Sequence, residues 1–303
     1  MPKPFVSIIT INYNQSRITC ELLASLRRIT YPNVEVIVVD NASPTEDPAP
    51  IEKRFPEVQL IRSRENLGFA GGNNLGIRVA RGKYALFLNN DTEVEPDFLE
   101  PLVELLETKP EVGLASPKII YYGSDHIVQY AGCEGINPWT GRGTVIGYME
   151  KDKGQFNRSF PTQLIHGAAM MAPMSAIRKV GLMPEIYFLY YEELDWCEML
   201  KRAGYQCYYE AGSTIYHKES MSVGKGSLMR TYYMYRNRLL FIRRNNRGVK
   251  YWIGLLFFLF AAMPKKGLVF AMNSEWDHFK AIWRGLRWHL QGHDIQHNDF
   301  LLP

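Results

Sequence analysis

The chain has 303 residues, 46% of them hydrophobic, and a formal net charge of +4. That supports a large buried core in one or two domains and excludes a disordered chain. The four cysteines, Cys20, Cys133, Cys197 and Cys207, form no CxxC pair and no zinc spacing, which excludes a disulfide framework and a zinc module and predicts reduced, cytoplasmic thiols.

Residues 1–4 run directly into a strand-like segment with no separate apolar stretch and cleavage site, so no signal peptide is expected. From there to residue 110, strand and helix signals alternate. Residues 6–12 are strand-like. Residues 17–28 are helical, with Leu22, Leu23 and Leu26 on one face and Ser16 as N-cap. Residues 34–39 form a β-branched strand that stops at Asp40-Asn41-Ala42-Ser43-Pro44. A short helix over 51–55, a short strand over 58–61 and a glycine-containing helix over 68–80 follow. Residues 84–88 are a continuous apolar run, the pattern of a strand covered on both faces, and they end abruptly in Asn89-Asn90-Asp91. A helix over 98–108 stops before Pro110.

This repetition predicts an α/β fold, a Rossmann-like and mostly parallel sheet with flanking helices. Three of its strands end in polar clusters, at Thr10 to Asn14, at Asp40-Asn41 and at Asn89-Asn90-Asp91. In a parallel sheet those ends share the edge where ligands bind. Alone, Asp91 reads equally well as a helix cap; three converging clusters are harder to explain as independent caps. There is no GxGxxG after the first strand and no GxxxxGK[ST], which argues against a dinucleotide-hydride enzyme and a P-loop NTPase.

Strands are predicted over 112–116, 118–122, 127–130 and 163–171, with a long, weakly periodic functional loop over 132–159. Helices follow over 174–180 and 192–203, the second carrying Leu194, Cys197 and Leu200 on one stripe and ending at Gly204. Short strands over 206–210 and 213–216 precede a helix over 228–244 that carries Tyr and Arg. Charge divides the chain. Residues 1–219 hold 22 Lys/Arg and 27 Asp/Glu, a net of −5, whereas residues 220–303 hold 13 and 4, a net of +9. Residues 220–274 contain ten Lys/Arg, no acid, and the 12-residue apolar run 252–263. That run is short of the about 20 residues needed to cross a bilayer. Cations flanking an apolar run, with Trp276, Trp283 and Trp288 beyond, suit an anionic membrane surface better than nucleic acid. The bland alternative is a buried helix with a solvated basic flank.

Taken together, these motifs resemble the inverting glycosyltransferases of family 2, which have the GT-A fold. Residues 6–14 and 36–43 resemble that family's first two strands, and Asn89-Asn90-Asp91 stands at its DxD position. His166 to Met171 and Phe188 to Cys197 resemble its acceptor-side motifs. Arg64 to Asn74, with Asn66-Leu67-Gly68-Phe69-Ala70-Gly71-Gly72-Asn73, is similar to the rhamnosyltransferase-like branch. Two departures stand out: Asn-Asn-Asp leaves one carboxylate at the DxD position, and Glu192-Glu193 replaces the frequent Glu-Asp.

The resemblance implies transfer of a sugar from a nucleotide diphosphate, rhamnose from dTDP-rhamnose on the branch likeness, to a carbohydrate or lipid-linked acceptor in cell-surface polysaccharide assembly. Donor contacts are then expected from Thr10, Asn12, Asp40, Asn41, Asn66, Gly71, Gly72, Asn73, Asn89 and Asn90. A divalent Mg²⁺ or Mn²⁺ is expected at Asp91 and His217, since such ions need only one or two protein ligands beside phosphate and water. Glu193 is the expected general base, with Glu192, Asp195 and Trp196 toward the acceptor. Residues 1–225 would form the catalytic domain, with a nucleotide half over 1–110 and an acceptor half over 111–225. Residues 226–303 would be a helical, membrane-associating extension on the inner face of the cell membrane. A sugar nucleotidylyltransferase would need a basic Gly-rich loop where Asn12-Tyr13-Asn14-Gln15 stands. The other alternative is a non-catalytic, membrane-recruited nucleotide-sugar binder.

Overall fold

The computed structural model describes residues 3–137, 142–218 and 226–295. In chain order the first elements are β1 (Val6–Asn12), α1 (Ser16–Leu26), β2 (Val34–Asp40), α2 (Ala49–Arg54), β3 (Gln59–Arg62), α3 (Gly68–Val79) and β4 (Tyr84–Leu88). β1 lies parallel between β2 and β4, and β3 continues the parallel order beyond β2. The apolar runs of β1 and β4 are buried along their length, as strands sandwiched by helices must be. Their C-terminal ends fall on one edge, as the repetition predicts.

β5 (Thr92–Val94), α4 (Leu99–Thr108), β6 (Val112–Tyr121) and β7 (Val128–Tyr130) come next. A hairpin of β8 (Cys133–Asn137) and β9 (Arg142–Val145) then precedes β10 (Phe160–Thr162), β11 (Ala169–Pro173), α5 (Met174–Val180), α6 (Glu192–Arg202) and β12 (Gln206–His217). Among the described residues the main sheet has ten strands, in the order β10-β12-β6-β11-β4-β1-β2-β3, with β5 on β12 and β7 on β6. β12 runs parallel to β6, and β11 is antiparallel to both its neighbours.

Several predicted boundaries shift, and the segments over 112–116 and 118–122 are the single strand β6. The segments over 206–210 and 213–216 are one strand with a bulge between Glu210 and Thr214. The extra residues of a bulge break the period-2 pattern without ending the strand. The loop over 132–159 contains the β8–β9 hairpin, although residues 138–141 lie outside those described. β11 starts at Ala169, because residues 163–168 turn across the end of β4, where Asn89 N–H donates to Ala168 O at 2.9 Å.

The glycines of α3 let that helix lie close on β1. A Cβ at Gly72 would come within 2.8 Å of Ile11 Cδ1, and one at Gly76 within 2.4 Å of Ile9 Cγ2.

After β12 come α7 (Leu228–Asn245), α8 (Gly248–Phe257), a π-helical turn over Phe258–Ala262, α9 (Met263–Met272) and α10 (Trp276–Trp288). Leu239, Ile242, Phe258, Met263, Phe270 and Ile282 form a second, smaller core among them. The apolar segment is longer than its 12-residue run indicates. α8, the π-turn and α9 make one helix over Gly248–Met272, 25 residues, within which an 18-residue stretch has mean hydropathy 1.7 and is 28% buried. By length and composition alone that helix could cross a membrane. The proposed boundary at residues 225 and 226 falls at the edge of the segment 219–225, outside the described residues.

Gly76→Ala should force Ile9 out of its rotamer and destabilise the protein by about 1–3 kcal/mol. The check is a lowered urea midpoint with an unchanged m-value.

Candidate active site

The strand ends are tied together by side chains. Asn12 Nδ2 donates to Asp40 Oδ1 at 2.8 Å, and Asn12 Oδ1 accepts from Thr19 Oγ1 at 2.8 Å. Asn90 Nδ2 donates to Thr19 Oγ1 at 3.0 Å. Ser43 closes the other side, its Oγ donating to Asp40 Oδ1 at 2.6 Å and its N–H to Oδ2 at 3.2 Å. Asn12, Asp40 and Asn90 are all buried, so each polar atom needs such a partner. Asp40 is therefore held in one orientation at the end of β2, while Asn12 and Asn90 serve as its supports. Thr19, on the first helix, is a support that no sequence pattern singled out.

Asp91 and His217 come together through strand pairing. β5 pairs with β12 so that Thr92 lies opposite His217, which brings the preceding Asp91 against the imidazole. His217 Nε2 is 3.1 Å from Asp91 Oδ1, and Nδ1 is 2.7 Å from Gln129 Oε1. With its proton on Nδ1 toward Gln129, the ring turns a lone pair on Nε2 toward a carboxylate oxygen. Two acceptors so placed suit a shared proton or a shared divalent ion. Among the described residues no group of three or more His, Cys, Asp or Glu side chains could hold a metal. A divalent ion on Asp91 and His217 would need donor phosphates and water to complete its shell, a ligand set that Mg²⁺ and Mn²⁺ accept.

The segment His166-Gly167-Ala168 links the remaining parts. Its backbone is bonded to Asn89, and the His166 ring centroid is 6.0 Å from that of His217. A Cβ at Gly167 would lie 3.8 Å from Glu193 Cδ. Burial, with His217 adding to it, pushes His166 down to about 3, so it is neutral, and its Nδ1 accepts from Ala168 N–H at 3.1 Å.

Glu193 opens α6, and its Oε2 is buried without a hydrogen-bond partner, as is Oε2 of Glu192. Burial pushes Glu193 up to about 7. Glu192 is pushed well above the usual carboxylate range, by burial first and by Glu193 second. The residues leading into them are wound left-handed, with φ of 63° at Phe188, 69° at Tyr190 and 78° at Tyr191. A left-handed turn of aromatic residues is strained, and such strain collects at functional sites. The turn rests on Gly68, where φ is 70° and a Cβ would fall 2.0 Å from Phe188 O.

The other expected contact residues have varied surroundings. Trp196 is fully buried in the core, its Nε1 donating to Gly181 O at 3.1 Å and its ring edge-on to Phe87; it cannot touch an acceptor. Asp195 is fully buried and turned away, paired with Arg244 Nε at 2.7 Å and with Asn245 Nδ2 at 2.6 Å. Gly71 and Gly72 accommodate Leu67 and Ile11, not a ligand. Asn41 is spent on Asn66 Oδ1, Gly68 O and Leu67 N–H, and Asn73 Nδ2 on Phe69 O. Asn66 accepts from Asn41 and Gly68 and stays exposed. Thr10 Oγ1 is buried and unpartnered within the strand. Asn89 is half-buried at the end of β4.

The structure is thus a mixed α/β sheet of GT-A type with a carboxylate–imidazole pair at its strand ends and a buried glutamate on the adjoining helix. The chain belongs to glycosyl transferase family 2, whose sequence description matches residues 7–181. It is 27% identical over 251 residues to the low-salt glycan biosynthesis hexosyltransferase Agl10 of Haloferax volcanii, covering 78% of this chain and 74% of that one. It is 24% identical to an N-acetylglucosaminyl-diphospho-decaprenol L-rhamnosyltransferase of Mycobacterium tuberculosis, covering 72% and 77%. A 30% match to an uncharacterised Sinorhizobium fredii protein, y4gI, spans 73% of this chain but only 25% of that protein. In three dimensions it is similar to a mannosyltransferase from Pyrobaculum calidifontis solved with GDP-Man and Mn²⁺, with a TM-score of 0.59 and 16% identity over 97% of this chain and 77% of that one.

Asp195→Ala should remove the buried carboxylate that Arg244, its side chain 6% exposed, meets at 2.7 Å, and destabilise the protein by about 3–5 kcal/mol. Thermal unfolding would register that loss; an acceptor contact would instead appear as a raised acceptor KM at unchanged stability.

Proposed function

We propose that the protein moves a sugar from a nucleotide-diphosphate donor to a hydroxyl of a carbohydrate or lipid-linked acceptor, with inversion. The observation that carries this reading is the buried, unpartnered oxygen of Glu193 beside the strand-end site. In a single displacement, an acceptor hydroxyl gives its proton to Glu193 as its oxygen bonds to the anomeric carbon. The anomeric carbon–phosphate oxygen bond breaks on the opposite face, and the nucleoside diphosphate leaves. Asp40 at the end of β2 would accept hydrogen bonds from the base, with Asn89 near the ribose or sugar. Asp91 and His217 would hold Mg²⁺ or Mn²⁺, which would neutralise charge on the departing diphosphate.

The mycobacterial relative, named as an L-rhamnosyltransferase on N-acetylglucosaminyl-diphospho-decaprenol, supports rhamnose and a lipid-diphosphate acceptor; dTDP-rhamnose as donor and a role in cell-surface polysaccharide assembly complete the proposed reading. A panel of dTDP-rhamnose, UDP-GlcNAc and GDP-mannose with Mn²⁺ and a polyprenyl-diphosphate-linked GlcNAc acceptor tests this choice. In this reading residues 1–225 form the catalytic domain and residues 226–303 attach it to the inner face of the cell membrane.

Exposed rings and cations support that attachment. Trp252, Phe260 and Met272 are 61%, 76% and 75% exposed; Lys250, Lys265 and Lys266 are exposed on the same helices, Arg247 just before α8, and Lys280 and Arg284 on α10. Apolar side chains interleaved with cations bind anionic headgroups. Not all of the basic residues serve this purpose: Arg236 and Arg238 are buried. The protein should co-sediment with phosphatidylglycerol vesicles at low salt, and Trp252→Glu with Phe260→Glu should keep it in the supernatant. A wild-type protein that stays in solution refutes the attachment.

Asp91→Ala should lose Mn²⁺-dependent donor binding while remaining folded. Glu193→Gln should lower transfer by roughly 10²–10⁴-fold and retain donor binding. If transfer survives that change, a non-catalytic role for Glu193 replaces this one. Since Glu193 must lose its proton to act, wild-type activity should rise as pH passes through about 7. The same shift has a stability sign. The folded protein favours the protonated form, so stability is full below the unfolded-state pKa and declines as pH rises through about 7. Glu193→Gln should therefore raise the Tm at pH 8 and leave it unchanged at pH 4.

A further inference from the structure

The loop that leads into Glu193 is shaped from outside itself. Five consecutive backbone carbonyls, Ile186 to Tyr190, point at donors from other elements. Asn237 Nδ2 on α7 reaches Tyr187 O at 3.0 Å, Leu189 O at 2.7 Å and Tyr190 O at 2.7 Å. The Arg236 guanidinium donates to Ile186 O at 2.8 Å and Tyr187 O at 2.5 Å, and its Nε to Asn237 Oδ1 at 2.7 Å. The remaining carbonyl, Phe188 O, takes the Phe69 N–H at 2.7 Å. Arg236 is itself sandwiched, with the Tyr233 and Trp288 ring centroids each 4.7 Å from its guanidinium carbon. Two turns along α7, Arg244 and Asn245 hold Asp195 on the far side of Glu193.

We infer that Arg236 and Asn237 are positioning residues for the base: by gathering the carbonyls of residues 186–190 they impose the left-handed turn that buries and aims the Glu193 carboxylate. The inference rests on the reading of Glu193 as base. It also makes α7 part of the catalytic apparatus as well as part of the C-terminal attachment. The left-handed φ values at Phe188, Tyr190 and Tyr191 are unfavourable for L side chains; the loop's own bonds, Phe188 N–H to Glu185 O at 3.0 Å and Leu189 N–H to Tyr187 O at 2.7 Å, brace its first part, and the carbonyls of Leu189 and Tyr190 are held from α7. Without α7, carbonyls and carboxylate would both turn toward water. The titratable neighbours of Glu193 are Glu192 on the same turn and Tyr190, with Arg236 from α7 acting on Glu192. Asp195, two residues on, is neutralised by Arg244, and Gly167 opposite brings no charge.

The test uses the full chain, with Asn237→Ala and the milder Arg236→Lys, which keeps the cation and removes the fork. Hydrogen exchange is followed on amides 186–195 and, as the folding control, on β1, β2 and β4. Transfer is followed from pH 5 to 9 with dTDP-rhamnose, UDP-GlcNAc and GDP-mannose. Asn237→Ala should speed exchange in 186–195 at least about tenfold with the sheet unchanged. It should lower kcat by roughly 10²-fold, the cost of about 1 Å of misplacement, with donor KM unaltered. The acid limb should move from about 7 toward the ordinary glutamate range as water reaches Glu193. Arg236→Lys should fall between the two and decides the matter if Asn237→Ala does not fold. Unchanged exchange in 186–195, or a loss of activity equal at every pH, overturns the inference. If the wild type turns over none of the donors, the transferase reading fails while the exchange result still decides the clamp.

Discussion

One line of hydrogen bonds, from Asn90 through Thr19 and Asn12 to Asp40, governs the strand-end edge. It crosses from the end of β4 over α1 to β1 and β2. Each bond contributes only about 0.5–1.5 kcal/mol net, but a buried polar group without a partner costs about 1–3 kcal/mol. Once these strand ends are buried, their side chains have little choice of arrangement. The carboxylate of Asp40 is thereby held in one orientation at the end of β2.

The second half of the chain completes that edge through pairing rather than sequence proximity. β12 runs beside β6 and delivers His217 to Asp91, 126 positions earlier. The turn at 166–168 reaches back to the end of β4 and over to Glu193. Each of these contacts depends on a sheet that mixes parallel and antiparallel neighbours, since only an antiparallel β11 brings its start to the end of β4.

Charge on the C-terminal helices separates into two populations. Arg236, Arg238 and Arg244 are turned inward onto carbonyls, rings and a carboxylate. Lys250, Lys265, Lys266 and Lys280 remain in solvent among exposed rings. Composition alone puts them in one basic segment. Burial divides them by job, because a guanidinium can be satisfied by a fan of acceptors whereas an ammonium is more strongly hydrated.

The parallel strands, their helices and the polar strand ends were legible from residue order, because hydrophobic periodicity and the position of polar clusters are local properties. Asp40 and Asp91 could be singled out for the same reason, whereas Glu193 was indicated by the family resemblance. The support roles of Thr19, Asn237 and Gln129 were not legible, since nothing in a neighbouring residue marks a side chain whose partner is tens of positions away. Nor could the sequence separate Glu193, with an unpartnered buried oxygen, from Asp195, two residues on and neutralised by Arg244. Both are acids in the first turn of one helix. Residue order by itself determined which chemical groups reach the sheet edge. Only the tertiary structure decided which of them remain available there, because that depends on which buried charges have found partners.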